Sequence, residues 1–258
     1  MTKIHLETFG EGNPIVLVHG WAMHTGIWRE FAQQLALDYR VTCIDLPGHG
    51  LSEKIDPFTL ERISAELANV IPYQHCCWLG WSLGATVALD IADRYPERVS
   101  SLVLLAGNPL YTQTEQWPGM DISLLDDFSD HLNKNCQATL LRFLSLQVNG
   151  LPNRKVLLKT LKTAVLECAA PDENTLQGGL NILKKTDLRP ILSGLTIPVS
   201  VILGGLDTLV PVAVGQKMQQ LLPGLELNII DRAGHVPFLS HSRETVAIIS
   251  RFMDEQCS

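Results

Sequence analysis

The sequence predicts an α/β fold: a mostly parallel central sheet with helices on both faces and an inserted helical cap. Three observations predict it. Short apolar runs alternate with stretches of helical spacing along most of the 258 residues, the pattern of strand–helix–strand units whose strands lie parallel. The runs are continuous, as expected of strands covered on both faces. Between residues 109 and 188 the alternation stops and only helical patterns remain. Residues 1–108 and 189–258 are therefore expected to form one core, with 109–188 as the cap. With 46% hydrophobic residues, the chain has enough apolar material for such a core.

The elements follow in order. Ile4 to Phe9 alternates and is expected as a first strand, and Gly10-Glu11-Gly12-Asn13-Pro14 as a turn. The apolar run Ile15-Val16-Leu17-Val18 ends in His19-Gly20-Trp21, where the glycine lets the backbone turn its amides toward the carboxyl edge of the sheet. Ile27 to Leu37 has helical spacing, and Arg40 to Asp45 is a strand running into the Pro/Gly loop Leu46 to Ser52. Leu60 to Val70 reads as a helix, Cys76 to Leu79 as a buried strand, Ala85 to Tyr95 as a helix and Val99 to Ala106 as a strand. In the cap, helical patterns break near Gly119, at Gly150-Leu151-Pro152 and at Ala170-Pro171. The sheet resumes at Pro198 to Leu203, which ends in Gly204-Gly205-Leu206-Asp207. A helix over Val212 to Leu222 leads to a last strand, Leu225 to Ile230, then to Asp231-Arg232-Ala233-Gly234-His235 and a closing helix from Arg243 to Phe252.

Composition narrows the function classes. A formal net charge of -7 argues against nucleic acid as a general partner. No apolar run approaches membrane-spanning length, and Met1-Thr2-Lys3-Ile4-His5 lacks the apolar segment of a signal peptide. A cytoplasmic monomer with no membrane partner is expected. Cys43, Cys76 and Cys77 fall in apolar strands, while Cys136, Cys168 and Cys257 are scattered, without Cys-x-x-Cys or Cys/His metal spacing. Free thiols are expected, with no metal site and no cofactor.

The chemistry gathers around Gly80-Trp81-Ser82-Leu83-Gly84, a G-x-S-x-G pentapeptide between a strand and a helix. In that setting a serine sits in a tight, strained turn and its hydroxyl projects above the sheet edge. The flanking glycines leave room where the turn meets its neighbours. Three polar residues then follow strand ends in the order Ser82, Asp207, His235, at the edge where open α/β sheets bind ligands. A serine hydroxyl is a poor nucleophile at neutral pH and needs a base, for which histidine has a suitable pKa. A carboxylate would hold the histidine tautomer and stabilise the imidazolium. Taken alone, Asp207 reads equally as a helix cap and His235 as a loop histidine. Asp231 and His241 are their competitors, and His19 and His49 read as loop braces. Strand-end position and chain order together favour the triad Ser82, Asp207 and His235. The backbone N–H of Leu83 is one expected oxyanion donor, and that of Trp21 the other.

His19-Gly20-Trp21, Asp45-Leu46-Pro47-Gly48-His49-Gly50, the serine turn, Asp207 and Gly234-His235 resemble the α/β-hydrolase superfamily, which implies an α/β-hydrolase fold. Trp78 to Gly84, Tyr95-Pro96-Glu97-Arg98-Val99, Glu115-Gln116-Trp117-Pro118-Gly119, Arg142 to Gln147 and Gly178 to Leu183 further resemble the esterases that demethylate pimeloyl chains on acyl carrier protein in biotin synthesis. The resemblance implies hydrolysis of a methyl ester through an acyl-enzyme. It also implies substrate contacts at Trp21, Ser82, Leu83, Phe143, Leu144, Ser145, Leu146, Gln147 and His235. Two positions depart from the usual pattern. Ala22 and Ala85 stand where glycine is common, and both are small.

From Arg142 to Lys162 the chain carries Arg142, Arg154, Lys155, Lys159 and Lys162 with no acidic residue. Lys155, Lys159 and Lys162 share one helix face at i, i+4, i+7, with Val156, Leu157, Leu161 and Val165 free to pack elsewhere. Such a face is either solvated or a docking surface for an acidic partner. The resemblance favours docking, because acyl carrier proteins are acidic. Phe143, Leu144 and Leu146 are expected to line an acyl channel with Trp81, Leu209 and Val210, or to fill the core beneath the cap. The competing functions are a general short-chain carboxylesterase, a triad-bearing carbon–carbon hydrolase or lyase, and a receptor that barely turns over. Serine at position 82 disfavours the aspartate-nucleophile hydrolases.

Overall fold

The computed structural model describes residues 2–255. Met1 of the leader reading and Cys257 of the thiol reading lie outside the described residues. Seven strands form one sheet: β1 (Leu6–Phe9), β2 (Asn13–Val18), β3 (Tyr39–Ile44), β4 (Cys76–Trp81), β5 (Val99–Leu105), β6 (Val199–Gly204) and β7 (Glu226–Ile230). Their spatial order is β1-β3-β2-β4-β5-β6-β7. Only β1 runs antiparallel, against β3. From β2 the chain steps to one side and β4 returns to the other, so the carboxyl ends of β2 and β4 flank the switch point, where such sheets open a crevice.

Parity along each strand divides the core. Val16 and Val18 face one apolar cluster with Trp78, Leu102 and Leu104, while Ile15 and Leu17 face the other with Leu79, Trp81 and Val103. All four β2 side chains from Ile15 to Val18 are fully buried, each burial contributing about 1.5–3 kcal/mol. The helices α1 (Arg29–Leu35) and α11 (Ser242–Glu255) cover the second cluster. α2 (Leu60–Val70), α3 (Leu83–Arg94) and α9 (Ala213–Leu221) cover the first. α2 starts where Thr59 Oγ1 accepts from Arg62 N, and it buries Ile63 and Leu67.

Between β5 and β6 lie α4 (Ile122–Leu132), α5 (Cys136–Gln147), α6 (Arg154–Leu166), α7 (Glu173–Lys185) and α8 (Arg189–Gly194). Among the described residues of this segment the only β pairing is two isolated bridges, Thr112 with Met120 and Thr114 with Trp117. α4 packs on α5 and α7, and α5 on α6, whereas α8 packs on the core helices α3 and α9. The segment leaves and re-enters the core at one point, where Leu188 N–H donates to the Pro109 carbonyl at 2.8 Å. α7 is capped by Asp172, whose Oδ1 accepts from Thr175 N, and this bond holds the Asp172 carboxyl below its ordinary range.

Three local expectations change. The helix expected over Ile27 to Leu37 is a 3₁₀ turn, Thr25–Trp28, followed by α1. His24 Nδ1 accepts from Gly26 N and starts the turn early. The closing helix begins at Ser242, and a short helix α10 (Pro237–Ser240) precedes it with proline in its first turn. Val156 on α6 is 66% exposed, whereas Leu157 and Leu161 are buried.

Candidate active site

Ser82 lies between β4 and α3 at φ 55°, ψ -120°, backbone that L-residues adopt only when the surroundings impose it. The surroundings are tight. A side chain at Gly84 would collide with the carbonyl oxygens of Val18 and His19, so glycine alone lets α3 start this close to β2. Leu83 is the first residue of α3, and its N–H has no carbonyl one turn back to bond.

The structure brings Ser82, His235 and Asp207 into one chain of hydrogen bonds. His235 Nε2 is 2.9 Å from Ser82 Oγ, and His235 Nδ1 is 2.8 Å from Asp207 Oδ2. The Asp207 carboxylate accepts from Nδ1–H, which leaves Nε2 to accept from the serine hydroxyl. Asp207 Oδ1 is also occupied, taking the N–H groups of Leu209 at 2.8 Å and Val210 at 3.0 Å. The carboxylate therefore closes its own loop and orients the imidazole at once. All three residues are buried. Asp231 and His241 stand apart from this chain; His241 Nδ1 bonds the Ser240 hydroxyl.

The loop carrying His235 is fixed from two directions. Trp81 Nε1 donates to the His235 carbonyl at 2.8 Å. His235 N–H donates to the Gln147 carbonyl at 3.2 Å, and Thr208 Oγ1 donates to the Leu146 carbonyl at 3.5 Å. The C-terminal end of α5 thus hangs on the two loops that carry Asp207 and His235.

The remaining expected substrate contacts divide by helical periodicity. Phe143 is buried edge-on against Trp21, ring centroids 4.8 Å apart, and against Phe128 at 5.8 Å. Phe143, Leu209 and Val210 belong to the first apolar cluster, with Leu146 packed against it. Leu144 and Trp81 belong to the second, and Trp81 meets Trp28 and Phe238 there edge to face. The Ser145 hydroxyl turns back to the Leu141 carbonyl at 2.8 Å. Both polar atoms of the Gln147 side chain are buried without a partner. Trp21 ties the loop after β2 to α7, because its Nε1 donates to the Leu176 carbonyl at 2.9 Å. A side chain at Gly179 would collide with its ring. Ala22, next to it, sits at φ 61°, in the left-handed region that favours glycine.

His19 and His49 brace the neighbouring loops. His19 Nε2 accepts from Leu46 N at 2.9 Å and its Nδ1 donates to the Gly20 carbonyl at 2.8 Å. His49 Nδ1 donates to the Pro47 carbonyl at 3.0 Å. Burial pushes each down to about 3, so both rings are neutral. Asp45 holds the same loops through Thr25 N and Leu51 N.

On α6, Arg154, Lys155 and Lys159 are exposed, and Lys162 is half-buried. None of these four forms an ion pair among the described residues. Arg142 differs: it lies over the Phe128 ring at 5.2 Å and reaches Asp127 at 4.0 Å. Among the described residues no cluster of three metal-ligating side chains occurs, and no helix is long and apolar enough to cross a membrane.

Sequence reasoning missed Tyr111, whose hydroxyl faces Ser82. Its position six residues beyond the end of β5, on the same carboxyl edge as the other three, was the signal that could have found it. It also missed the Leu146 and Gln147 carbonyl contacts, which leave no mark in residue type.

A strained serine, an oriented histidine and a buried carboxylate can together carry nucleophilic acyl transfer. The comparisons agree with this class. The chain belongs to the α/β-hydrolase family, whose model, described as an alpha/beta hydrolase fold, matches residues 13–242. Within that family it is 40% identical over 250 residues to the pimeloyl-[acyl-carrier protein] methyl ester esterase of Methylococcus capsulatus, covering 97% of this chain and 98% of the relative. It is 39% identical to the enzyme of the same name from Nitrosomonas europaea, covering 96% and 98%. Among solved structures it resembles an esterase from Exiguobacterium antarcticum, with a TM-score of 0.87 and 23% identity over 98% of this chain and 96% of that one. That likeness speaks to the fold.

Proposed function

We propose that this protein is a serine carboxylesterase that hydrolyses the methyl ester of a pimeloyl chain carried on acyl carrier protein, in biotin synthesis. One observation carries the reading: the unbroken hydrogen-bond chain from Asp207 through His235 to a strained Ser82. It is supported by full-length relatives that bear this activity in their names.

In this reading Ser82 Oγ attacks the ester carbonyl carbon while His235 Nε2 takes its proton. The oxyanion is received by the N–H groups of Leu83 and Trp21, each donor lowering the barrier by about 2.7–4 kcal/mol. Collapse expels methanol, protonated by His235. Water then repeats the sequence on the acyl-enzyme and frees the carboxylate. Phe143, Leu146 and the side-chain amide of Gln147 border the acyl chain, together with Trp21. The carrier stays outside, meeting Arg154, Lys155, Lys159 and Lys162 on α6. Arg142, already engaged with Asp127 and Phe128, supports that face from within the cap. We propose a monomer acting in the cytoplasm, and 109–188 as the cap of a core formed by 1–108 and 189–258.

The experiment compares wild type with Ser82→Ala on the carrier-bound methyl ester, reading product mass for loss of the methyl group. Turnover by wild type and none by Ser82→Ala is the expected result; turnover retained in the variant refutes the nucleophile. Reversing Lys155 and Lys159 to Glu should slow the carrier substrate and spare a free short ester. Added salt should act in the same direction, because exposed charges are screened over about 8 Å at physiological ionic strength. Equal losses on both substrates would mean damage to the fold or pocket, and unchanged turnover of the carrier substrate would refute docking at α6.

A further inference from the structure

The reaction as described leaves one buried group beside Ser82 without a role. Tyr111 is 3% exposed, and its backbone is fixed on both sides. Asn108 Oδ1 accepts from Leu110 N at 3.1 Å and from Trp117 Nε1 at 3.0 Å. The Tyr111 carbonyl accepts from Met120 N at 2.7 Å. The phenol oxygen faces the Ser82 and Thr86 hydroxyls and the Asn108 backbone, and it completes no hydrogen bond with any of them. Both Tyr111 Oη and Thr86 Oγ1 are buried and unpartnered. A rigid, buried O–H kept without an acceptor is costly, and the cost is recovered if an acceptor forms during the reaction.

We propose that Tyr111 is a further catalytic residue, whose hydroxyl donates a hydrogen bond to Ser82 Oγ as that oxygen leaves the acyl-enzyme. The proposal rests on the serine-esterase reading above. In deacylation, water attacks the acyl carbon and His235 Nε2 takes one of its protons. When the tetrahedral intermediate collapses, the C–Oγ bond breaks and its electron pair passes to Oγ. His235 returns the proton to that oxygen. Tyr111 keeps its own proton throughout, and nothing is oxidised or reduced. Burial pushes the phenol well above its ordinary range, which suits a group that donates without ionising.

The bond acts selectively on this step. In the acyl-enzyme, Oγ is an ester oxygen whose lone pair is shared with the carbonyl, a poor acceptor. As it leaves it gathers negative charge and becomes a strong one, so the bond strengthens toward the transition state. Acylation starts from a serine hydroxyl, already a fair acceptor, and gains less.

The test is Tyr111→Phe with p-nitrophenyl butyrate in single-turnover experiments. Release of p-nitrophenolate reads acylation. Quenched-flow mass spectrometry of the Ser82 peptide reads loss of the butyryl group. The expected result is deacylation slowed about tenfold, the worth of one such bond, acylation within about twofold of wild type, and butyryl-enzyme accumulating at steady state. Deacylation unchanged, or acylation slowed as much as deacylation, overturns the proposal. A wild type that never carries butyryl on Ser82 would refute the esterase reading itself, a result separable from failure of the tyrosine.

Discussion

Lowering the pH from 7.5 to 5 should destabilise this protein through His19 and His49, well before its carboxylates protonate. The two rings lie 5.3 Å apart under the loops that follow β2 and β3. Burial holds each at about 3, against 6.5 for an exposed histidine. The folded values are depressed, so the unfolded chain binds protons below pH 6.5 that the folded one refuses. The contribution is therefore complete above that pH and shrinks as pH falls toward 3. Each pH unit inside this window costs about 1.4 kcal/mol per ring, so at pH 5 the loss is about 2 kcal/mol per ring and about 4 for the pair. Protonation would also take away the lone pair with which His19 Nε2 accepts Leu46 N–H. Asp121, Asp172 and Asp187 have lowered values too; their contributions are lost only below the ordinary carboxylate range, so the windows are distinct. Urea unfolding at pH 7.5, 6 and 5, followed by fluorescence of the five tryptophans, measures the slope. His49→Asn should reduce the slope by about half whatever its own stability. An unfolding free energy flat to within about 1 kcal/mol across that range would refute the reasoning.

Asp207→Asn should keep the fold and cut kcat by a factor on the order of 10⁴. The retained amide oxygen can still accept Leu209 and Val210 N–H, but the new NH₂ faces His235 Nδ1 and forces the tautomer that protonates Nε2; steady-state kinetics with thermal unfolding checks both halves. Trp21→Phe should preserve the ring contact with Phe143 and remove the bond to the Leu176 carbonyl, costing about 1–3 kcal/mol in chemical denaturation. Ala22→Gly should relieve strain at φ 61° and change stability by less than about 1 kcal/mol, with turnover of a short ester as the sensitive readout.

Much of the core was legible because its causes are local. Continuous apolar runs mark β2 and β4, alternation marks β1, and the serine turn announces itself through glycines that close packing requires. Asp207 and His235 could be named because each lies in the loop just beyond a strand end, β6 and β7 respectively. What escaped depends on contacts distant in sequence. Nothing near Arg142 says that Asp127 and Phe128 will engage it, and nothing near Tyr111 says that Ser82 lies across from it. The stretch 143–147 was read as a contiguous set, but helical rotation sends Phe143 and Leu144 to different clusters. The early start at Thr25 depended on the His24 side chain bonding its own backbone, a choice that periodicity does not encode.

The hydrogen bond from His235 N–H to the Gln147 carbonyl bears on how this scaffold can be rebuilt. The segment proposed as a cap leaves and returns where Pro109 and Leu188 meet, as an exchangeable module would. Yet the last turn of its second helix, α5, serves as a shelf for His235, the base in the proposed triad. A chimera that imports a foreign cap with a shorter or rotated helix there would keep every catalytic side chain and still misplace the imidazole. Transplants that retain residues 146–147 with their approach to Thr208 and His235 should be the ones that change substrate range without losing turnover.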